Sequence, residues 1–204
     1  MLPGACGPEK EAVNPPPKIE IRQYGLASAM VDYEVSGLKV GHERLYFDGW
    51  GTRQARYTHS KMQVMGLTQE ENSLKIINGP WSYMIDLPKA TGIRQPNPLL
   101  KSYGPKIRRD NRLLLGDDII KDMGGRKAGL NSVLGHSCQV WAVPATHTSY
   151  CFWKHLPLLT VISDSGVEMV TRAVAIRENA PLKQDIFKIP SSISITDMPP
   201  APAK

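Results

Sequence analysis

Cysteine and histidine are the residue types in this chain best suited to bond-making, ligation or redox chemistry. The 204 residues hold three cysteines and five histidines. Cys138 and Cys151 flank the turn-like run Val143-Pro144-Ala145-Thr146, so a hairpin brings them onto neighbouring strands. A two-residue loop at Pro144-Ala145 sets them directly opposite, and a loop a few residues longer does not. The spacing leaves two outcomes open. One is a disulfide, suited to an oxidising compartment; the other is two separate small buried residues. Zinc is disfavoured. His136 and His147 lie nearby, but no Cys-x-x-Cys pair and no closely spaced histidine pair accompanies them. His42, His59 and His155 complete the set. With no haem-attachment motif and no two histidines one helical turn apart, all five are read as exposed or hydrogen-bonded rather than as ligands. No metal and no cofactor is expected.

Motifs of catalysis are equally thin. The chain has no Gly-x-Ser-x-Gly elbow, no glycine-rich phosphate loop and no His-Glu-x-x-His. Asp86, Asp117 and Asp118 are not matched to a base or nucleophile. Asp117 and Asp118 are better explained by helix capping and the helix dipole. Cys151 with His147 or His155 is the one nucleophile–base arrangement left. No catalytic residue is assigned, and an unrecognised hydrolase ranks last among the functions considered.

Cys6 carries a different chemistry. In Leu2-Pro3-Gly4-Ala5-Cys6-Gly7, small residues run directly into a cysteine, as at the end of a bacterial lipoprotein signal, where the thiol is acylated. Pro3 stands where that pattern prefers an apolar residue. Residues 8–18 are rich in Pro, Glu, Lys and Asn, and Pro15-Pro16-Pro17 favours an extended, stiff backbone. Residues 1–23 are therefore read as a tether and linker. No run approaches the roughly eighteen apolar residues of a spanning helix, so lipid on Cys6 would anchor the chain to a membrane without crossing it.

The formal net charge is +6, with a pI near 9.2. That is a weak pull toward anionic partners such as phospholipid. The cations are scattered. Their tightest group, Lys101, Lys106, Arg108, Arg109 and Arg112, lacks the aromatic interleaving of a single-strand binder, so nucleic acid is not expected.

The elements that must position these residues are mostly strands. Hydrophobic residues are 41% of the chain and charged residues 22%, a balance that supports a packed core. Seventeen prolines and seventeen glycines break it into short segments. Residues 29–35 alternate Val31, Tyr33 and Val35 against Asp32 and Glu34, the pattern of a half-buried strand. Further strands are expected over 42–48, 52–59, 61–68, 73–78 and 81–87, spaced as an antiparallel meander. Residues 88–105 read as a long loop and 110–123 as a helix ended by Gly124-Gly125. Two hairpins follow, 136–143 with 149–154 and 156–163 with 167–177. A last short strand is placed at 185–189, and 191–204 is a Pro- and Ser-rich tail.

Several stretches resemble a known family. They are Leu45-Tyr46-Phe47-Asp48-Gly49-Trp50-Gly51, Ile77-Asn78-Gly79-Pro80-Trp81-Ser82-Tyr83-Met84-Ile85-Asp86-Leu87, and Asp117-Asp118-Ile119-Ile120-Lys121-Asp122-Met123-Gly124-Gly125. Val133-Leu134-Gly135-His136-Ser137-Cys138-Gln139-Val140-Trp141, Trp153-Lys154-His155-Leu156-Pro157-Leu158-Leu159 and Phe187-Lys188-Ile189-Pro190 complete the series. Together, over residues 24–190, they resemble a family of uncharacterised bacterial envelope proteins. That family's fold is similar to the Lol-type (LolA/LolB-like) periplasmic lipoprotein carriers. Members usually show Gly-Ile-Pro-Leu-Lys where this chain has His155-Leu156-Pro157-Leu158-Leu159. The resemblance implies a mainly β (α+β) half-barrel: a curved, incompletely closed antiparallel sheet with one or two short helices over its concave face. It brings no catalytic residues.

An unclosed sheet leaves space that side chains, a helix or a ligand must fill. Trp81, Tyr83, Met84, Ile85, Val140, Phe152, Leu158 and Val161 are the candidates to line such a cavity or to fill it. Trp50, Trp81, Trp141 and Trp153 form an apolar wall or plug the core. The reading is of a periplasmic, membrane-anchored envelope protein that binds a lipid or acylated chain. The alternative is a structural lipoprotein that docks another envelope protein through a sheet edge or face.

Overall fold

The computed structural model describes residues 22–64, 66–102 and 116–198. Cys6 and the basic residues Lys106, Arg108, Arg109 and Arg112 lie outside them.

The first half of the domain is a meander of six strands. They are β1 (Ala29–Gly37), β2 (Lys39–Asp48), β3 (Arg53–Val64), β4 (Leu67–Asn78), β5 (Trp81–Asp86) and β6 (Thr91–Pro96). A short helix, Gly116–Asp122, leads to the second meander: β7 (Arg126–Val133), β8 (His136–Val143), β9 (Thr148–Trp153), β10 (Leu156–Asp164) and β11 (Val167–Glu178). The two meanders join through antiparallel pairing of β1 with β11. A last strand, β12 (Ser194–Asp197), pairs with β6. The sheet order is β12-β6-β5-β4-β3-β2-β1-β11-β10-β9-β8-β7. Among the described residues β7 and β12 are the two edges of the sheet, so the twelve strands form an open half-barrel, as expected.

Turn chemistry sets the registers. β7–β8, β9–β10 and β10–β11 turn through two residues each: Leu134-Gly135, Lys154-His155 and Ser165-Gly166. All six have positive φ, between 47° and 80°. This is the mirror-image turn whose twist matches paired strands. The Gly49-Trp50-Gly51 turn is also left-handed throughout, with φ of 54°, 60° and 87°. At Gly51 a side chain is excluded twice over, because a Cβ there would lie 2.6 Å from the Tyr24 ring.

Three apolar clusters hold the sheet. The first buries Tyr24, Val31, Tyr33, Leu45, Phe47 and Leu158 with the Cys138–Cys151 pair. The second places Ala55, Leu74, Ile76 and Ile85 under Phe187. The third joins Ile120 of the short helix to Trp141 and Val143.

The structure differs from the expected elements at several places. β3 and β4 are longer than read, meeting at a turn around Gly66. The loop expected over 88–105 contains β6, and β7 falls where no strand is expected. Residues 184–187 are a 3-10 turn rather than part of a strand. The tail read from residue 191 onward contains β12, which runs parallel to β6, so the sheet is antiparallel except at this edge. Ile193 and Ile195 pack on the second cluster. Of the expected helix over 110–123, the described part is Gly116–Asp122.

Candidate functional site

Side chains alternate across each strand, so the registers assign every residue to one of two faces. Tyr33 lies opposite Glu43, Glu43 opposite Thr58, Thr58 opposite Ser73, and Ser73 opposite Asp86. All of these share one face. We call it the inner face.

The inner face is divided. Near β1 and β2 it is filled by Tyr33, Leu45 and Phe47 of the first cluster. Over β3 to β6 it is an open groove of about 790 Å³. Arg56, Thr58, Ser73, Lys75, Met84 and Ile93 line its floor and walls. The outer face of the same strands is covered in part, around Ala55, Leu74, Ile76 and Ile85. It carries the second cluster, under the C-terminal segment that holds Phe187.

One cross-strand row sets the character of the groove. Arg56 lies opposite Lys75, Lys75 opposite Met84, and Met84 opposite Ile93. Met84 is 51% exposed and Ile93 40%, so the apolar half of the row is bare. The Arg56 guanidinium binds Glu43 at 2.5 Å and lies 5.4 Å from the centre of the Tyr33 ring. The carboxylates around the groove have cations of their own. Glu71 pairs with Lys39 at 2.5 Å, Glu70 with Lys61 at 2.7 Å and Asp86 with Lys89 at 2.6 Å. Lys75 stands opposite another cation. The groove walls push its ammonium pKa down, and the charge of Arg56 adds to this.

Two buried phenols support the groove from the filled side. Tyr33 Oη donates to the Pro157 carbonyl at 3.0 Å. Tyr24 Oη donates to Gln54 Oε1 at 3.2 Å. Gln54 in turn donates to the Gly51 carbonyl and to Gln23 Oε1, at 2.8 and 2.7 Å. Burial raises both phenol pKa values above the ordinary 10.0. The unfolded chain therefore releases these protons first as pH rises. The stability they contribute is complete below pH 10.0 and is lost as pH climbs from there toward the folded values. Denaturant midpoints measured from neutral pH to pH 11 or so should fall beyond pH 10.0. Tyr33→Phe should flatten part of that fall. An unchanged slope would remove Tyr33 from the account.

Of the eight sequence candidates, Met84 and Ile85 are among the residues around this groove and the other six are not. Trp81, Tyr83 and Ile85 lie on the outer face of β5. Ile85 is in the second cluster, with Tyr83 packed against it. Trp81 lies at the rim beneath the Arg94 guanidinium. Val140 and Phe152 are on opposite faces, because Val140 pairs with Cys151. Leu158 is fully buried in the first cluster. Val161, half-buried on β10, lies opposite Val170 and Ser149. Nor do the tryptophans form one wall. Trp50 sits in its turn under Arg22, Trp141 is in the third cluster, and Trp153 stacks on His136 at 4.0 Å.

Cys138 and Cys151 are joined by a disulfide with Cα atoms 5.3 Å apart. The β8–β9 loop is longer than two residues, so the cysteines are not directly opposite. Cys151 pairs with Val140, and Cys138 is its diagonal neighbour on the same face. Among the histidines, His42 and His59 face each other across β2 and β3 at 5.3 Å. They line a second hollow, of about 810 Å³, on the outer face with Glu34 and Asn72. Among the described residues no group of three or more His, Cys, Asp or Glu is arranged to hold a metal.

No family model and no curated protein matches the chain. Solved structures do. An uncharacterised conserved protein from Thermus thermophilus is 10% identical with a TM-score of 0.55, the match covering 85% of this chain and 93% of that one. The two share a fold. MucB matches at 14% identity and a TM-score of 0.44, over 85% of this chain and 60% of its own. LprF from Mycobacterium bovis matches at 12% identity and a TM-score of 0.35, over 83% of this chain and 91% of its own.

Proposed function

We propose that this protein is a non-catalytic component of the bacterial envelope, anchored through an acylated Cys6, that binds a lipid or another apolar ligand in its half-barrel. The observation that carries this reading is the open inner-face groove with Met84 and Ile93 bare on its floor. Large apolar side chains left exposed inside a concavity, rather than scattered over a convex surface, are the usual mark of a ligand site. Its volume lies within the range of about 300–1,000 Å³ that encloses one small molecule. The resemblance to the Lol-type carriers favours the same class of ligand. The Cys138–Cys151 bond suits an oxidising compartment such as the periplasm.

Native mass spectrometry of the protein purified from its own envelope, followed by organic extraction, tests the reading. A discrete lipid retained beyond the acyl groups on Cys6 is the expected result. Apo protein that also takes up no added lipid would overturn it.

A second reading rests on the edge strand β7. Its outward hydrogen-bonding side is unpaired among the described residues, and Leu130 is 74% exposed. Such an edge accepts a strand from another chain, which would make the protein a docking lipoprotein for another envelope component. Crosslinking from Leu130 in intact envelopes distinguishes the two, because a lipid carrier needs no fixed protein neighbour at β7.

A further inference from the structure

The groove on the inner face has a polarity that an apolar ligand alone does not use. On β3 and β4, Arg56 and Lys75 are directly opposite each other. Like charges at such a position repel, because their Cβ atoms are only about 4.5–5.5 Å apart. Folded sheets normally place a carboxylate beside such a pair. Here Glu43 draws Arg56, while Glu70, Glu71 and Asp86 are each bound to a different lysine. The charge of Lys75 therefore has no carboxylate partner among the described residues. The next two positions of the same row, Met84 and Ile93, are apolar and exposed. Adjacent strands are about 4.8 Å apart, so the row passes from cationic to apolar over roughly 10 Å. Ser73 and Thr58 flank the cations on the same face and bring hydroxyl groups to the same wall.

We propose that Lys75, with Arg56 behind it, is the headgroup site of the groove, and that its ligand is a single-chain amphiphile with an anionic carboxylate or phosphate head. The head sits over Lys75 and the chain lies across Met84 toward Ile93. This deepens the lipid-binding reading and rests on it, since it names the class of lipid. The depressed pKa of Lys75 fits an unsatisfied cation. An anion bound there restores the ammonium, so binding takes up protons at alkaline pH.

The test is calorimetry on the full chain with three probes of equal chain length, each below its micelle concentration: dodecanoate, monododecyl phosphate and the neutral monolauroylglycerol. The anionic probes should bind roughly tenfold or more tightly than the neutral one, the scale of a charge-assisted hydrogen bond. Lys75→Gln should erase that preference, and Lys75→Arg should keep it. Lys75 is solvent-accessible, so neither change threatens the fold. Arg56 is left in place because its loss would strand Glu43. The tighter of the two anionic probes identifies the head as carboxylate or phosphate. Equal affinity for charged and neutral probes, or a preference that survives Lys75→Gln, overturns the headgroup site while leaving lipid binding intact. Binding of none of the three overturns both.

Discussion

Phe187→Ala is expected to lower the unfolding free energy by about 3–5 kcal/mol, the usual cost of deleting a core phenylalanine. Phe187 is 2% exposed and closes the second cluster over Ala55, Leu74, Ile76 and Ile85. It belongs to no strand. The segment that carries it is fixed at both ends instead. Arg53 donates to Gln184 at 2.6 Å and lies over the Phe187 ring at 5.2 Å. Downstream, the Ser194 amide donates to the Ala90 carbonyl, and Arg94 grips Asp197 through two hydrogen bonds of 2.6 and 2.9 Å. Because both ends are held, the segment cannot collapse far into the space left by the ring, and the cavity term stays large. Domains of this kind are stable by about 5–15 kcal/mol, so the loss is a substantial share of the whole. Urea denaturation measures it, with Phe187→Leu, which keeps an apolar side chain and leaves a smaller void, as the milder control at about half that loss or less. A Phe187→Ala midpoint within experimental scatter of the parent would mean that residues beyond β11 are a dressing on the sheet rather than a layer of the core.

This layer also shows where the sequence is legible and where it is not. β1 announces itself by alternation, because Ala29, Val31, Tyr33 and Val35 are buried while the residues between them are not. β7 does not: seven of its eight residues are exposed, since an edge strand with little packed on either face has no apolar phase to display. β6 and β12 are short edge-side strands interrupted by Gly92 or dominated by Ser and Thr, and their pairing depends on partners far along the chain. Phe187-Lys188-Ile189 has strand-like alternation, but tertiary contacts bend it into a 3-10 turn. The groove residues are visible in a limited sense. β3 reads as polar-faced, and β4 carries Leu74 and Ile76 on one side. A polar phase, however, is normally the solvent side of a sheet. Only the register, which places Arg56 and Lys75 on the same face as Tyr33 and Leu45, reveals that this polar phase shares a face with the first cluster. Most of the cavity candidates chosen for hydrophobicity lie away from the groove for the converse reason: the most apolar positions of an open sheet are claimed first by its packed clusters, and of the set only Met84 and Ile85 border it.

Breaking the Cys138–Cys151 crosslink is expected to cost roughly 2–4 kcal/mol, on the chain-entropy scale for a loop of this size. The two cysteines are 13 residues apart and each is 1% exposed, buried with Val133 and Leu156. Two experiments separate the crosslink from the packing of its atoms. Reduction of the native chain under denaturant removes the bond and keeps both sulfurs. The double variant Cys138→Ala with Cys151→Ala removes the bond and leaves a small cavity, so it should fall further than the reduced protein by an amount on the order of 1 kcal/mol. The loss should also be local in its first effect. β8 and β9 are the strands tied together, and β7 hangs on the sheet through β8 alone. Hydrogen exchange should therefore accelerate in β7, β8 and β9 before it changes in β3, β4 and β5, which the second cluster holds from the other side of the domain. If reduction leaves both the midpoint and the exchange of β7 to β9 unchanged, then the buried side chains alone fix that hairpin and the bond adds nothing to it. If exchange rises equally in both meanders, the half-barrel opens as one cooperative unit, and the β1–β11 junction rather than the disulfide is its weakest seam.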